Sequence, residues 1–146
     1  MTADIIAKDQ EGRDILLVEV KASVLSENAI SQILKMASAT TPSIPYAMVV
    51  GLNEISVVRP DDSGSKVKSL RLDSKEILGH YDPEYGHKRI FDYYLKALVE
   101  AWLNDLAYHW DSDSPPGSKG LAEIGLLERL EGGTLSDVPI ASDSLC

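Results

Sequence analysis

An apolar segment that carries a glutamate and a lysine two residues apart, Leu16 to Lys21, most constrains what this chain can fold into. Successive side chains of a β-strand point to opposite faces of a sheet, so Glu19 and Lys21 share one face. The opposite face is apolar and carries Leu16, Val18 and Val20. The segment therefore predicts a strand with one face for packing and one face that can do chemistry.

A polar turn precedes this strand. Residues 8–13 read Lys-Asp-Gln-Glu-Gly-Arg, and Gly12 can adopt the positive φ angle that a tight hairpin turn needs. A turn centred near residues 11 and 12 places the stretch around Ala3 to Ile6 against the Leu16 to Lys21 strand. Asp4 and Glu19 are then expected to lie opposite each other across the two strands.

Two carboxylates at this distance repel each other unless a cation lies between them. Oxygen ligands suit Mg²⁺ or Mn²⁺ better than zinc. We expect the side chains of Asp4 and Glu19 and the main-chain carbonyl of Val20 to be the protein's ligands to this ion. The metal would polarise a phosphate oxygen and lower the pKa of a bound water, while Lys21 would hold that water or offset developing charge. The alternative is a solvated hairpin whose Glu and Lys form a weak surface ion pair.

The residues Asp4, Glu19 and Lys21, set in the order strand, turn, strand, helix, strand, resemble the motif of the PD-(D/E)xK nuclease superfamily. This superfamily includes restriction enzymes, repair nucleases and Holliday-junction resolvases. The resemblance covers roughly residues 3 to 60, and Ala3 stands where the family often has proline. It implies an α/β protein with a restriction-endonuclease-like mixed β-sheet flanked by helices.

The resemblance also implies a role for Gln32, because many members carry a glutamine on the following helix that faces the site, sometimes with a tyrosine four residues later. Met36 replaces that tyrosine here. The residue pattern alone is equally consistent with Gln32 as a solvent-exposed helix residue. Because Asp4 is so close to the N-terminus, we expect the sheet to lack the family's usual N-terminal helix and first strand. An upstream extension or a second subunit could supply them, and an open sheet edge favours pairing with another chain.

Three hypotheses follow. The first is a Mg²⁺- or Mn²⁺-dependent endonuclease that hydrolyses DNA through Asp4, Glu19 and Lys21, supported by Gln32. The second is an inactive binding or regulatory module that keeps the nuclease-like fold. The third is an unrelated α/β protein that forms homo-oligomers or joins a partner subunit through its long aromatic helix, which carries residue types enriched at interfaces.

Hydrophobic periodicity predicts the remaining elements. They are a helix over 26–39 capped by Ser23 or Ser26, a buried strand over 46–50, strands over 55–59 and 67–72, a long helix over 88–110 and a short helix over 121–130. We expect a nuclease-like domain over residues 1–112, and a short helix with a mobile tail over 113–146. At 146 residues and 44% hydrophobic content, one domain is the expectation.

Composition narrows the functional classes. No apolar run reaches the length of a membrane span and no signal peptide is evident, so we expect a cytoplasmic protein that binds no membrane. The single cysteine, Cys146, excludes an intrachain disulfide and a cysteine-based zinc site.

The net charge of −9 opposes DNA as a partner. The acidity lies in the second half, because residues 1–75 carry nine Lys and Arg against ten Asp and Glu, whereas residues 76–146 carry five against thirteen. A local basic cluster of Lys66, Lys68, Arg71 and Lys75 could still contact phosphates, although lysines also commonly protect an edge strand from aggregation.

Overall fold

The computed structural model describes residues 4–23, 27–40, 42–60 and 67–137, except the side chains of residues 27, 60, 67 and 68. The strands of this part are β1 (Ile5–Lys8), β2 (Asp14–Val20), β3 (Tyr46–Val50), β4 (Glu54–Pro60), β5 (Val67–Asp73) and β6 (Thr134–Asp137). Its helices are α1 (Glu27–Ala39), α2 (Ser74–Leu78), α3 (Asp92–Tyr108), α4 (Ser118–Glu123) and α5 (Leu127–Leu130), with a 3-10 turn at Tyr85–His87. The expected elements at residues 61–66, 24–26 and 138–146 lie outside the described residues.

The strands form one mixed sheet in the order β5-β4-β3-β2-β1-β6. Strands β2 and β3 are parallel, and every other neighbouring pair is antiparallel. A parallel pair needs a crossover connection, which α1 provides. The α/β class and the helix-flanked mixed sheet are therefore confirmed, while the narrower restriction-endonuclease-like fold stays a prediction.

The β1-β2 hairpin forms as predicted. Ile5 pairs with Val18, and Gly12 has a φ of 83°. The Asp9 carboxylate shapes the turn, since its Oδ1 accepts hydrogen bonds from the main-chain nitrogens of Glu11 and Arg13, both at 2.9 Å. Aspartate commonly stabilises turns in this way.

Both faces of the sheet are buried. The residues Leu16, Val18 and Val20 belong to the larger core, which includes Trp102 of α3. The opposite face packs against α1 in a second core that contains Leu17, Ala47, Val49, Ile33 and Ala37. The alternation predicted for β2 is confirmed, but the face that carries Glu19 is not open, because α1 covers it.

The helices begin and end differently from the prediction at several points. The long helix starts at Asp92 rather than residue 88, because Phe91 is extended, with φ −101° and ψ 164°. The helix expected over 121–130 is divided into α4 and α5 around Gly125, whose φ is 82°. Helix α2 was not predicted, although Asp73 caps it by accepting a 2.9 Å hydrogen bond from the nitrogen of Lys75.

Residues 113–137, which we expected to form a short helix and the start of a mobile tail, pack on the same sheet. Strand β6 pairs with β1, with Ile5 opposite Asp137. Trp102 donates from Nε1 to the carbonyl of Pro116 at 2.8 Å, and the Tyr46 hydroxyl donates to the carbonyl of Ile124 at 2.7 Å. The edge of β1 that we expected to be open is therefore occupied by β6.

Helix α3 carries exposed aromatic residues near its two ends. Phe91 and Tyr93 are at the N-terminal end, and Tyr108 and Trp110 are at the C-terminal end. Between them, Trp102 is completely buried. No helix in the described part of the chain is both long and apolar enough to span a membrane.

The contact between Tyr46 and the C-terminal segment can be tested by Tyr46→Phe. The substitution removes the hydroxyl donor to the buried carbonyl of Ile124 and leaves that oxygen, among the described residues, with only the longer 3.3 Å hydrogen bond from Arg59 Nη1. We expect the free energy of unfolding, measured with urea, to fall by about 1–2 kcal/mol. Tyr93→Phe is the matched control, because Tyr93 is 79% exposed and should change stability little. Equal stability of the wild type and Tyr46→Phe would contradict this account.

Candidate functional site

The candidate site centres on a buried carboxylate. Glu19 lies on β2 opposite Val49 of β3 and is only 6% exposed. Its Oε1 atom is buried and has no hydrogen-bond partner among the described residues. Leu17 and Val49, which point to the same face, belong to the apolar layer under α1. Glu19 thus places one carboxyl oxygen without a described hydrogen-bond partner beside apolar residues.

Asp4 is held beside this strand. Its main-chain nitrogen donates to the carbonyl of Val18 at 2.8 Å, and its Oδ2 accepts a 2.7 Å hydrogen bond from the nitrogen of Val20. The structure therefore brings Asp4 and Glu19 together, as the hairpin spacing indicated. Val20 takes part through its N–H group, a contact that the sequence did not indicate, and its carbonyl as a metal ligand stays a prediction.

The electrostatics of the site agree with this proximity. Burial raises the pKa of the Glu19 carboxyl, the negative charge of Asp4 raises the pKa further, and the ammonium of Lys21 partly lowers it. Removing a carboxylate from water disfavours its charged form, and a second carboxylate nearby acts in the same direction. The surroundings of Glu19 therefore disfavour the charged form of its carboxyl.

Lys21 follows the last residue of β2 and is exposed. Its main-chain nitrogen donates to the carbonyl of Val50 at 2.9 Å, which continues the pairing with β3. The next residue, Ala22, donates from its nitrogen to Oδ1 of Asp92 at 2.7 Å and so ties the end of β2 to the start of α3. Lys21 is consequently positioned at a fixed edge of the sheet, next to a buried carboxylate and accessible from solvent.

Gln32 lies on the exposed part of α1, next to Ile33, which is completely buried. The described hydrogen bonds do not include one between Gln32 and Asp4 or Glu19. Its supporting role therefore stays a prediction.

A second group of possible metal ligands was not predicted from the sequence. His80, Asp105 and Asp111 each offer one ligand atom, and these three atoms lie within 4.8 Å of one another. This group could therefore hold a metal ion. His80 Nε2 is 2.8 Å from Oδ2 of Asp111. These residues come from separate parts of the chain, and no short sequence spacing could have revealed the group.

The buried member of this group already has partners. The Asp105 carboxylate accepts hydrogen bonds from the Tyr81 hydroxyl at 2.6 Å and from the nitrogens of Asp111 and Ser112 at 3.0 and 3.1 Å. Burial alone would raise the pKa of the Asp105 carboxyl, but these hydrogen bonds together outweigh burial, so the pKa is lowered. They also fix the turn after α3, where His109 has a φ of 55°. Asp105 thus has a structural role that needs no metal.

Comparison with protein-family models, with curated proteins and with solved structures finds no match. The resemblance to the PD-(D/E)xK superfamily consequently depends on Asp4, Glu19, Lys21 and Gln32 and on the order of the elements around them. A function must be argued from the contacts, burial and charges around these residues.

The cost of burying Glu19 can be measured with Glu19→Gln. We expect this neutral variant, free of metal, to be more stable than the wild type by about 1–3 kcal/mol at pH 7, because it removes a buried, unpaired charge. Because the pKa of Glu19 is raised in the folded protein, Glu19 contributes most to folding stability at pH values below its pKa in the unfolded chain. This contribution is lost as the pH rises through the pKa of Glu19 in the folded protein. The gain over the wild type should therefore grow from about pH 4 to pH 7.

Urea unfolding at several pH values checks this prediction. Glu123→Gln is the matched control, since Glu123 is exposed and should show no such pH dependence. A Glu19→Gln protein that is less stable than the wild type at pH 7 would mean that the Glu19 carboxylate has a stabilising partner.

The two possible metal sites can be separated by thermal unfolding with Mn²⁺. A ligand that binds only the folded state stabilises it, and at a concentration 100 times its Kd the gain is about 2.7 kcal/mol. We expect Mn²⁺ to raise the Tm of the wild type and of His80→Ala, but not that of Glu19→Gln. A shift lost in His80→Ala and kept in Glu19→Gln would instead assign the metal to His80, Asp105 and Asp111.

Proposed function

We propose that Asp4 and Glu19 bind a Mg²⁺ or Mn²⁺ ion and that the protein uses it to hydrolyse phosphodiester bonds in DNA. The observation that carries the proposal is the buried Oε1 atom of Glu19, which lacks a hydrogen-bond partner among the described residues while Asp4 lies close enough to raise its pKa. Buried polar atoms without partners are rare in folded proteins, and each calls for an explanation. A bound cation would explain this one.

The donor set fits such an ion. Carboxylate oxygens are the preferred ligands of Mg²⁺ and Mn²⁺, and the charge of a divalent cation would offset the repulsion between Asp4 and Glu19. The hydrogen bond from the Val20 nitrogen uses Oδ2 of Asp4 and fixes the orientation of that carboxylate. Groups of this kind around a ligand are what preorganises a metal site.

Each side chain then has a separate task. When bound, the ion supplies Lewis acidity toward a phosphate oxygen and lowers the pKa of a water molecule. Asp4 and Glu19 hold the ion at a defined point on the sheet. Lys21, which is exposed at the end of β2, offsets the negative charge that develops on the phosphate during attack. In the interpretation that the family resemblance suggests, Gln32 of α1 supports these groups.

The position of the site in the sheet also supports this function. Glu19 and Lys21 are at the carboxyl end of β2, beside the carboxyl end of the parallel strand β3. Ligands of open α/β sheets bind at this end of the strands, where the connecting segments leave a crevice. A phosphate can approach Lys21 from solvent while α1 and the second core limit the water around Glu19.

A non-catalytic module with the same architecture is the second candidate. The net charge of −9 favours it, because a protein that binds DNA by itself usually needs a basic surface to neutralise phosphates. In that case the metal would still stabilise the fold, but no bond would be cleaved.

A cleavage assay distinguishes the proposed nuclease from the non-catalytic module. We expect the protein to cleave supercoiled, linear or branched DNA with Mg²⁺ or Mn²⁺, and Lys21→Ala to reduce the rate by at least about 100-fold, the effect of removing one group that stabilises transition-state charge. Gel electrophoresis of the products under single-turnover conditions measures the rate.

Lys35→Ala is the matched control, because Lys35 is an exposed lysine on α1. The Tm shift with Mn²⁺ shows whether Lys21→Ala still binds metal. Undiminished cleavage by Lys21→Ala would overturn the proposed role of this residue. Absence of cleavage by the wild type, with a normal Tm shift, would favour the non-catalytic module.

A further inference from the structure

A cavity of about 440 Å³ opens at the carboxyl edge of β2 and β3, immediately beyond Lys21. Its lining includes Ala22, Asn53, Lys75, Tyr85, Lys88 and Arg89. Three of these residues are cations, in a chain whose net charge is −9. The cavity therefore concentrates positive charge at one place on an acidic protein.

Two of the three cations are available to a ligand. Lys75 and Arg89 form no ion pair with an acidic side chain in the described ranges. Lys88 is already paired, with Nζ 2.9 Å from Oδ2 of Asp82. Gly86 gives Lys75 its space, because a Cβ atom at this position would lie 2.8 Å from Cε and 3.1 Å from Nζ of Lys75. A phosphate group is an anion of the right charge for Lys75 and Arg89.

Two exposed aromatic rings follow Arg89 closely in the chain. Phe91 is 54% exposed and Tyr93 is 79% exposed, although both are residue types that proteins usually bury at least partly. The Arg89 guanidinium is 5.3 Å from the centre of the Phe91 ring. Proteins that bind single-stranded nucleic acids combine cations along the backbone with rings on which the bases stack.

The surface is fixed relative to the candidate site. The hydrogen bond from the Ala22 nitrogen to Asp92 Oδ1 joins the residue after Lys21 to the residue between Phe91 and Tyr93. Consecutive Cα atoms are about 3.8 Å apart, so Lys21 adjoins the cavity lining at Ala22. A strand of a few nucleotides could therefore contact the cavity and Lys21 together.

We propose that the cavity cations Lys75 and Arg89, together with Phe91 and Tyr93, bind an unpaired nucleic-acid strand and direct its backbone toward Lys21. The proposal rests on the function proposed above and specifies its substrate class. Phosphates contact the two cations, and bases stack on the two exposed rings. Paired bases inside a duplex do not offer their faces to a side chain, so the surface favours single-stranded or frayed substrates over intact duplexes.

Binding without metal tests the proposal. Fluorescence anisotropy in EDTA would compare a labelled 15-nucleotide thymidine DNA, a uridine RNA of equal length and a DNA duplex. We expect the wild type to bind one or both single strands more tightly than the duplex, and the two single-stranded arms to show which sugar is preferred. Arg89→Gln and Phe91→Ala should each weaken that binding by about fivefold or more.

Two matched controls keep the comparison specific. Arg13→Gln removes the same charge from an exposed arginine in the β1-β2 turn, at the opposite end of β2. Tyr108→Ala removes an exposed ring at the far end of α3, about 25 Å away at 1.5 Å per residue. Neither control should change the affinity. Circular dichroism confirms that each variant is folded.

The proposal would be overturned if the two control variants lost as much oligonucleotide affinity as Arg89→Gln and Phe91→Ala. It would also be overturned if the wild type bound duplex and single strands equally tightly, or bound neither. If the wild type binds no oligonucleotide and Phe91→Ala abolishes oligomerisation, the exposed aromatic residues serve a protein contact. This result would also overturn the proposal. Because this assay omits metal, its failure is distinct from failure of the catalytic proposal. Cleavage of DNA by a protein that binds no single strand in EDTA would overturn this inference alone, whereas specific binding without cleavage would contradict catalysis alone.

Discussion

The central position of β2 governs the rest of the structure. This strand pairs with β1 on one side and with β3 on the other, and helices cover both of its faces. A strand enclosed in this way normally carries apolar residues throughout. Glu19 is the buried exception in β2, since the other acidic residue, Asp14, is exposed. Burial acts against the charge of Glu19 while the main-chain pairing fixes its position. The metal binding proposed for the site depends on a carboxylate that the fold holds in a position where its charged form is disfavoured.

The same arrangement places the proposed metal ligand and the proposed phosphate contact in different environments. Glu19 is enclosed and fixed in position, whereas Lys21, two residues later, is in solvent and accessible to a large substrate. The transition takes place where β2 ends and the chain turns toward α1. Asp92 secures that point by accepting a hydrogen bond from Ala22.

Local patterns were sufficient to predict much of the sheet. Apolar alternation identified β2, the continuous apolar run identified β3, and Gly12 identified the first hairpin, because each signal depends on neighbours in the sequence. The proximity of Asp4 and Glu19 followed from that hairpin. The burial of Glu19 could not be predicted in the same way, because it depends on packing between separate elements.

Long-range contacts explain the other differences. The group formed by His80, Asp105 and Asp111 arises only when α3 ends beside the segment after α2. Phe91 fits a helical apolar stripe by periodicity, yet it is extended and precedes α3. Nothing in the four residues Thr134 to Asp137 marks them as an edge strand. They acquire that conformation by pairing with β1.

This last pairing has a consequence for the order of folding. Strand β1, which adjoins Asp4, is completed by residues 134–137, so the environment of the candidate site involves two segments separated by most of the described chain. Contacts between distant segments form slowly, because the intervening chain must lose entropy before they do. During synthesis, the hairpin that carries both carboxylates emerges early, while β6 emerges after every other described strand. A nascent chain would thus expose β1 as an unpaired edge until nearly all of the described sequence has been made.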